Sequence, residues 1–253
     1  MDTLLIDMIL GFGIGVLLGM LGGGGSILTV PMLVYLVGQS PHTAVTTSLA
    51  IVGANSVMGA YFHRAQGTLN WRVALVFGGA GMIVSYFAAG LSRQFSPNFL
   101  MVAFALLMLA VAWLLLRGNR INRNSEQYQL NLSKVAVGGS AIGLVTGILG
   151  VGGGFLIVPV LVILVGLPMH HAVGTSLLII AMNSAAGFIG HLEGYVVDMQ
   201  LIAAFVGAGV VGTFVGVRVG RRLNSALLRR MFAVFVIALA LFLLYDNLTK
   251  LIG

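Results

Sequence analysis

The chain has 253 residues, of which 59% are hydrophobic and only 8% charged, and its mean hydropathy is +1.07. Soluble domains carry about 25% charged residues, so a surface this apolar needs lipid as its solvent. Cysteine is absent, which excludes disulfides, Cys–zinc sites and thiol chemistry, and the 13 Lys and Arg behind the net charge of +7 sit in short loops between apolar runs, a pattern of membrane orientation and not of a nucleic-acid face.

Ten apolar segments follow one another, at roughly 3–21, 24–37, 43–62, 71–91, 98–116, 135–149, 154–166, 171–190, 199–217 and 226–245. A perpendicular helix needs about 20 apolar residues to span a bilayer, and most of these runs qualify. The first is preceded by Asp2 and contains Asp7, with no Lys or Arg before it. It lacks the basic start of a signal peptide and reads as a retained segment.

The second segment is short and follows a glycine cluster, Gly22, Gly23, Gly24 and Gly25, before Ser26. Glycine allows positive φ and close backbone approach. A chain break at membrane depth is tolerated only where it is buried in protein or lines a cavity. The helix that restarts after the break would point free N–H groups and its positive dipole end into that cavity, which suits an anion. The same glycines could instead make a tight turn or close helix packing. Pro31, within this segment, frees a carbonyl and can bend the helix.

The third segment carries a polar stripe at helical spacing: Thr47 or Ser48, Asn55, Gly59 and His63. Hydroxyls and amides can donate to an anion without adding net charge, and they can equally bond between helices. Asn55 lies near mid-segment, where an unsatisfied amide is costly. His63 lies at a segment end, a place for an interfacial residue or a proton carrier. After the fifth segment, residues 117–134 (RGNRINRNSEQYQLNLSK) form the one hydrophilic stretch, a linker with no soluble domain attached.

Beyond it the chain repeats. Residues 14–38 and 142–166, offset by 128, share 15 of 25 positions. The same offset pairs Pro31 with Pro159, Thr47 with Thr175, Ser48 with Ser176, Asn55 with Asn183 and His63 with His191. Gly150, Gly152, Gly153 and Gly154 stand in front of the seventh, short segment as Gly22–Gly25 stand in front of the second. Short glycine-interrupted runs in matching positions are the best sequence pointer to a transporter's binding site. The division is therefore a first membrane repeat over 1–116, a polar cytoplasmic linker over 117–134 and a second repeat over 135–253.

Five segments per repeat is an odd number, so the second copy should be inverted. If every segment crosses, Lys and Arg divide 11 to 2 between the two sides; if only the short segments fail to cross, they divide 7 to 6. Positive charge is kept in the cytoplasm, which favours the first arrangement with both termini outside. A re-entrant hairpin of the first two segments of each half leaves that count unchanged. The expected fold is an all-α polytopic membrane protein of two inverted-topology repeats of five helical segments each, with short glycine-broken helices or re-entrant hairpins.

The six acidic residues, Asp2, Asp7, Glu126, Glu193, Asp198 and Asp246, all lie at segment ends or in loops. Proton and sodium carriers often use a mid-membrane carboxylate, and none stands here. There is no HExxH and no intramembrane carboxylate pair, so an enzyme is not the expectation, and neither a cofactor nor a metal is implied.

The duplicated GMLGGGGSILTVPML and GILGVGGGFLIVPVL, each followed by a His and then TSL, resemble the sulfite exporter TauE/SafE family of permeases, also called the 4-toluene sulfonate uptake permease family. The resemblance covers both halves. It implies transport of a sulfur-containing or organic anion, such as sulfite, thiosulfate, sulfoacetate or another sulfonate, across a bacterial inner membrane. Direction does not carry over. Gly23 and Ser26 stand where the second half has Val151 and Gly154, so the two sites need not contribute equally.

The expected function is an alternating-access carrier for a small anion, with an anion channel of the same architecture as the alternative and, behind it, an intramembrane enzyme using Ser26 or Ser48 with His63 as nucleophile and base. The expected ligands are Gly23, Gly24, Gly25, Ser26, Thr47, Ser48, Asn55, Gly152, Gly153, Gly154, Thr175, Ser176 and Asn183, with His63 and His191 as candidates for proton coupling. The expected partners are the anionic substrate and the lipid bilayer, without nucleic acid; a homo-oligomer is left open.

Overall fold

A computed structural model describes residues 2–92, 102, 105, 106, 108–110, 112, 113, 116, 131–149, 154–191 and 198–252. It is helical throughout, with no strand among the described residues. The helices are α1 (Asp2–Leu21), α2 (Gly24–Tyr35), α3 (Pro41–Ala65), α4 (Trp71–Ser92), α5 (Leu132–Leu149), α6 (Gly154–Ile163), α7 (Met169–His191), α8 (Met199–Arg222) and α9 (Ser225–Ile252). Of the fifth predicted segment, 98–116, only the nine scattered residues from 102 to 116 given above are described, all of them helical, and residues 117–130 of the linker lie outside the described residues.

Polar caps set several helix starts. Ser40 accepts from the Thr43 N–H with Pro41 at the first helical turn, so α3 opens two residues before its apolar run. Asp198 accepts from the N–H groups of Gln200 and Leu201 and opens α8. Asn131 does the same for Ser133 and Lys134, which starts α5 at Leu132, inside the predicted linker. The first glycine cluster ends α1: Gly22 takes φ +72, and its N–H makes a last bond to the Leu18 carbonyl.

Among the described residues four helices are long and apolar enough to cross a membrane, over Leu4–Leu21, Thr43–Ala65, Met169–Ile189 and Met199–Arg222. By contrast α2 has 12 residues and α6 has 10. At 1.5 Å per residue these are about 18 and 15 Å long, roughly half of a hydrocarbon core. The outward faces are apolar: Phe87 is 73% exposed, and Tyr61 and Ile83 are each 63% exposed. Such a surface belongs against lipid.

The closest packing joins helices from opposite halves, through glycine. A Cβ placed at Gly11, Gly15 or Gly19 of α1 would strike the backbone of Phe205, Gly209 or Thr213 of α8. At the 128-residue offset, a Cβ at Gly139 or Gly143 of α5 would strike the backbone of Phe77 or Gly81 of α4. Backbones this close gain dispersion and Cα–H···O contacts, the usual adhesive between helices that lipid cannot drive together.

The order of these contacts fixes direction. Rising numbers in α1 meet rising numbers in α8, so the two run parallel; Asn55 and Gly59 of α3 meet Gly209 and Thr213, so α3 runs with them. Gly139 and Gly143 of α5 meet Phe77 and Gly81 of α4 in rising order, and Asn70, just before α4, and Gly78 of α4 meet Thr175 and Met182 of α7, so α4, α5 and α7 share one direction. Between the groups, Gly53 meets Ser184, Gly59 meets Leu177 and Gly187 meets Leu49, so α3 and α7 are antiparallel. One consequence concerns charge. Arg64, Arg218, Arg221 and Arg222 close α3 and α8, Arg72 and Lys134 open α4 and α5, and all six therefore share one end of the stack. Asp7 and Asp198 lie at the other.

Candidate functional site

The glycine breaks of the two halves meet. Gly154 opens α6, and a Cβ there would fall on the Ser26 hydroxyl of α2, with the Ile180 side chain of α7 beside it. Positions 26 and 154 are related by the 128-residue offset, so each half presents the same point of the motif to the other. Gly22 lies against Ser176 and Val158; a Cβ there would stand 2.5 Å from the Ser176 hydroxyl and 2.9 Å from a Val158 methyl. Two sequence features supply this fit. Glycine at 22 provides the positive φ that turns the chain, and glycine at 22 and 154 leaves room for the facing hydroxyls.

The start of α2 has no side-chain cap: its N-cap is Gly23, at φ −63 and ψ −11. The first N–H groups of a helix have no intrahelical partner. Those of Gly24, Gly25 and Ser26 thus lie at the positive end of the α2 dipole, the end whose Ser26 side chain meets Gly154. The Ser26 hydroxyl donates to the Gly23 carbonyl at 2.7 Å. Ser48 and Ser176 behave alike, donating at 2.8 Å to the carbonyls of Val45 and Val173 in their own helices. Each of these hydroxyl protons is thus engaged within its own helix.

The other expected residues fall in different places. Gly25 is pressed on Ile14 and Leu18 of α1, where a Cβ would meet the Ile14 carbonyl at 2.6 Å, so its lack of a side chain serves packing. The Thr175 hydroxyl accepts from the Asn70 N–H at 3.1 Å and ties α7 to the start of α4. Asn55 faces the α3–α8 seam over Gly209, one seam away from the Ser26–Gly154 contact. Gly152 and Gly153 lie outside the described residues, as does the His191 side chain.

His63 is buried, not interfacial as its place at a segment end predicts. Its Nε2 lies 3.3 Å from the Gly19 carbonyl and its Nδ1 lies 2.8 Å from the Thr68 hydroxyl. The Gly19 carbonyl belongs to the last turn of α1 and lacks a helical partner because the chain breaks at Gly22. A carbonyl only accepts, so Nε2 carries a proton and donates to it, while the Thr68 hydroxyl lies within hydrogen-bond reach of both Nδ1 and the His63 carbonyl. His63 thus caps the buried C-terminal end of α1.

Several buried polar atoms make no hydrogen bond: the hydroxyls of Thr47, Ser56 and Thr213, both amide atoms of Asn55, and Oδ1 of Asn183. Each such atom costs about 1–3 kcal/mol. Thr213 is not among the residues that the polar stripes mark. It is the one polar residue between Leu201 and Val217 of an apolar segment, and Ser85 stands at its offset position, a signal the repeat already holds. Among the described residues no cluster of His, Asp and Glu could hold a metal.

The family description "Sulfite exporter TauE/SafE" matches residues 8–243. A probable membrane transporter protein of Xylella fastidiosa (strain 9a5c) is 32% identical over 259 residues, covering 100% of this chain and 99% of its own. The probable membrane transporter protein YdhB of Bacillus subtilis (strain 168) is 31% identical over 212 residues, covering 82% of this chain and 86% of its own. A probable membrane transporter protein of Methanocaldococcus jannaschii is 26% identical over 252 residues, with 94% of each chain covered. No solved structure matches the chain.

Proposed function

Because this chain belongs to the sulfite exporter TauE/SafE family of membrane transporters, we propose that it is a secondary carrier of one small sulfur-containing or organic anion, such as sulfite, thiosulfate, sulfoacetate or another sulfonate. The observation that carries this reading is the meeting of Ser26 with Gly154 where two helices begin. A helix N-terminus is worth about half an elementary positive charge. Two of them facing one guest supply about one charge, enough for a sulfonate, with no ionised side chain. The hydroxyls of Ser26 and Ser176 become neutral donors by turning from their own helix carbonyls to the guest, and the unpartnered Asn55 amide and Thr47 hydroxyl add more as the seams open.

In this reading the two repeats are inverted. Support comes from the opposite directions of α1 and α5, of α3 and α7, and of α8 and α4, all pairs related by the 128-residue offset. Positive charge is held in the cytoplasm. The shared end of Arg64, Arg72, Lys134, Arg218, Arg221 and Arg222 is then cytoplasmic, and both termini face the periplasm of a bacterial inner membrane. The Ser26–Gly154 contact has no room for even a methyl group, so an anion enters only when the two halves part. That favours alternating access, with one half rocking on the other, over a standing channel.

Uptake of radiolabelled sulfite, thiosulfate and sulfoacetate into proteoliposomes tests the proposal. The expectation is saturable flux and counterflow for one of these anions, lowered in S26A/S176A. Single-channel currents without counterflow would replace the carrier by a channel, and no anion flux at all would end the reading.

A further inference from the structure

A groove of about 210 Å³ lies between the ends of α3 and α8, lined by Phe62, Gln66, Phe214, Arg218 and Arg221 among others. Phe62 and Phe214 form its aromatic wall, edge to face with ring centroids 5.4 Å apart. The Arg218 guanidinium carbon lies 5.5 Å from the centre of the Phe214 ring, a cation–π distance that holds the charge at the rim. Arg221 lies three residues on, on the same face of α8. Among the described residues neither arginine has a carboxylate partner.

The placement decides what this groove can hold. Val211, Phe214, Arg218 and Arg221 form one exposed stripe along α8. Tyr61, beside Phe62 on α3, is also exposed. The stripe is apolar toward mid-helix and basic over its last turns. An interior vestibule for a soluble ion would turn its charges toward the Ser26–Gly154 contact, whereas these point along the outer wall. An apolar track leading into a paired basic end has the shape of a phospholipid, chain below and phosphate above.

We infer that the α3–α8 groove binds an anionic phospholipid, its phosphate between Arg218 and Arg221 and its acyl chain along Phe62, Phe214 and Val211. The bound lipid would cover the α3–α8 seam from outside, beside the helices that must move past each other.

Native mass spectrometry of the purified full chain in detergent tests this, with phosphatidylglycerol and phosphatidylcholine competing for it. The expected result is one tightly held phosphatidylglycerol, preferred over phosphatidylcholine by roughly 5-fold for each arginine and so by over 20-fold in all. R218Q and R221Q should each lose about 5-fold of that preference, while R222Q, also exposed on α8 but outside the lining, keeps it. Should the glutamine variants fail to fold, excess glycerol 3-phosphate on the wild type decides: lipid retained supports the site, and lipid displaced marks a site for free anions. Equal binding of both lipids to the wild type, or an R222Q loss equal to that of R218Q, would overturn it.

Discussion

Replacing Asn55 by leucine separates two opposite roles by the sign of one measurement. Asn55 is completely buried, and neither atom of its amide has a hydrogen-bond partner. If the amide waits for a guest, the empty protein bears its desolvation, about 1–3 kcal/mol for each orphaned group. Leucine has nearly the same shape and no polar atom, and it would still rest on Gly209 of α8. N55L should therefore raise the stability of the anion-free protein by about 1–3 kcal/mol, less than the full sum because the seam must take two slightly larger methyl groups. If Asn55 instead bonds across helices, its loss should lower stability by about 0.6–1.7 kcal/mol, the range measured for such bonds in lipid. Thermal unfolding in mild detergent gives the sign. A ligand at 100 times its Kd stabilises by about 2.7 kcal/mol, so the same melts with the transported anion show whether binding is weakened. A less stable N55L with an undiminished anion shift would refute this role.

Other substitutions bear on the surrounding geometry. G22A puts a Cβ at positive φ and against Ser176 and Val158, so it should cost about 2–4 kcal/mol in unfolding assays and lower expression in the membrane. S26A and S176A remove only hydroxyls bonded within their own helices, so melts should move by less than about 1 kcal/mol while anion flux falls severalfold. T175V leaves the Asn70 N–H without its acceptor and should cost about 1–2 kcal/mol, with KM for the anion little changed if the hydroxyl serves mainly to join α7 to α4.

Much of the architecture is legible in the sequence itself. The 128-residue repeat predicts a second copy of every helix start, and α2 and α6 begin where their glycine clusters end. Helix boundaries depart from the apolar runs where polar caps outreach them, as at Ser40 and Asn131. The pairing of helices is not legible. Hydropathy shows that α1 is apolar all round, and not that its glycines fit α8 of the other half. The repeat also implies equal roles for Asn55 and Asn183, which the packing denies. Gly209 lies under the Asn55 amide, whereas Gly81, its offset mate, is covered by Gly139. His63 departs from expectation for a related reason: its partner is a carbonyl released by a chain break, 44 residues away along the chain.

Selenite is the heavier analogue of sulfite, and its anomalous scattering would reveal where an oxyanion rests in crystals of the loaded protein. Facing peptide amides from the two halves predict a peak within about 3–4 Å of the backbone nitrogens of Gly24, Gly25 and Ser26, lost together with flux in S26A/S176A. A selenium peak confined to the arginine end of α8, in a protein that still carries selenite across the membrane, would contradict the account.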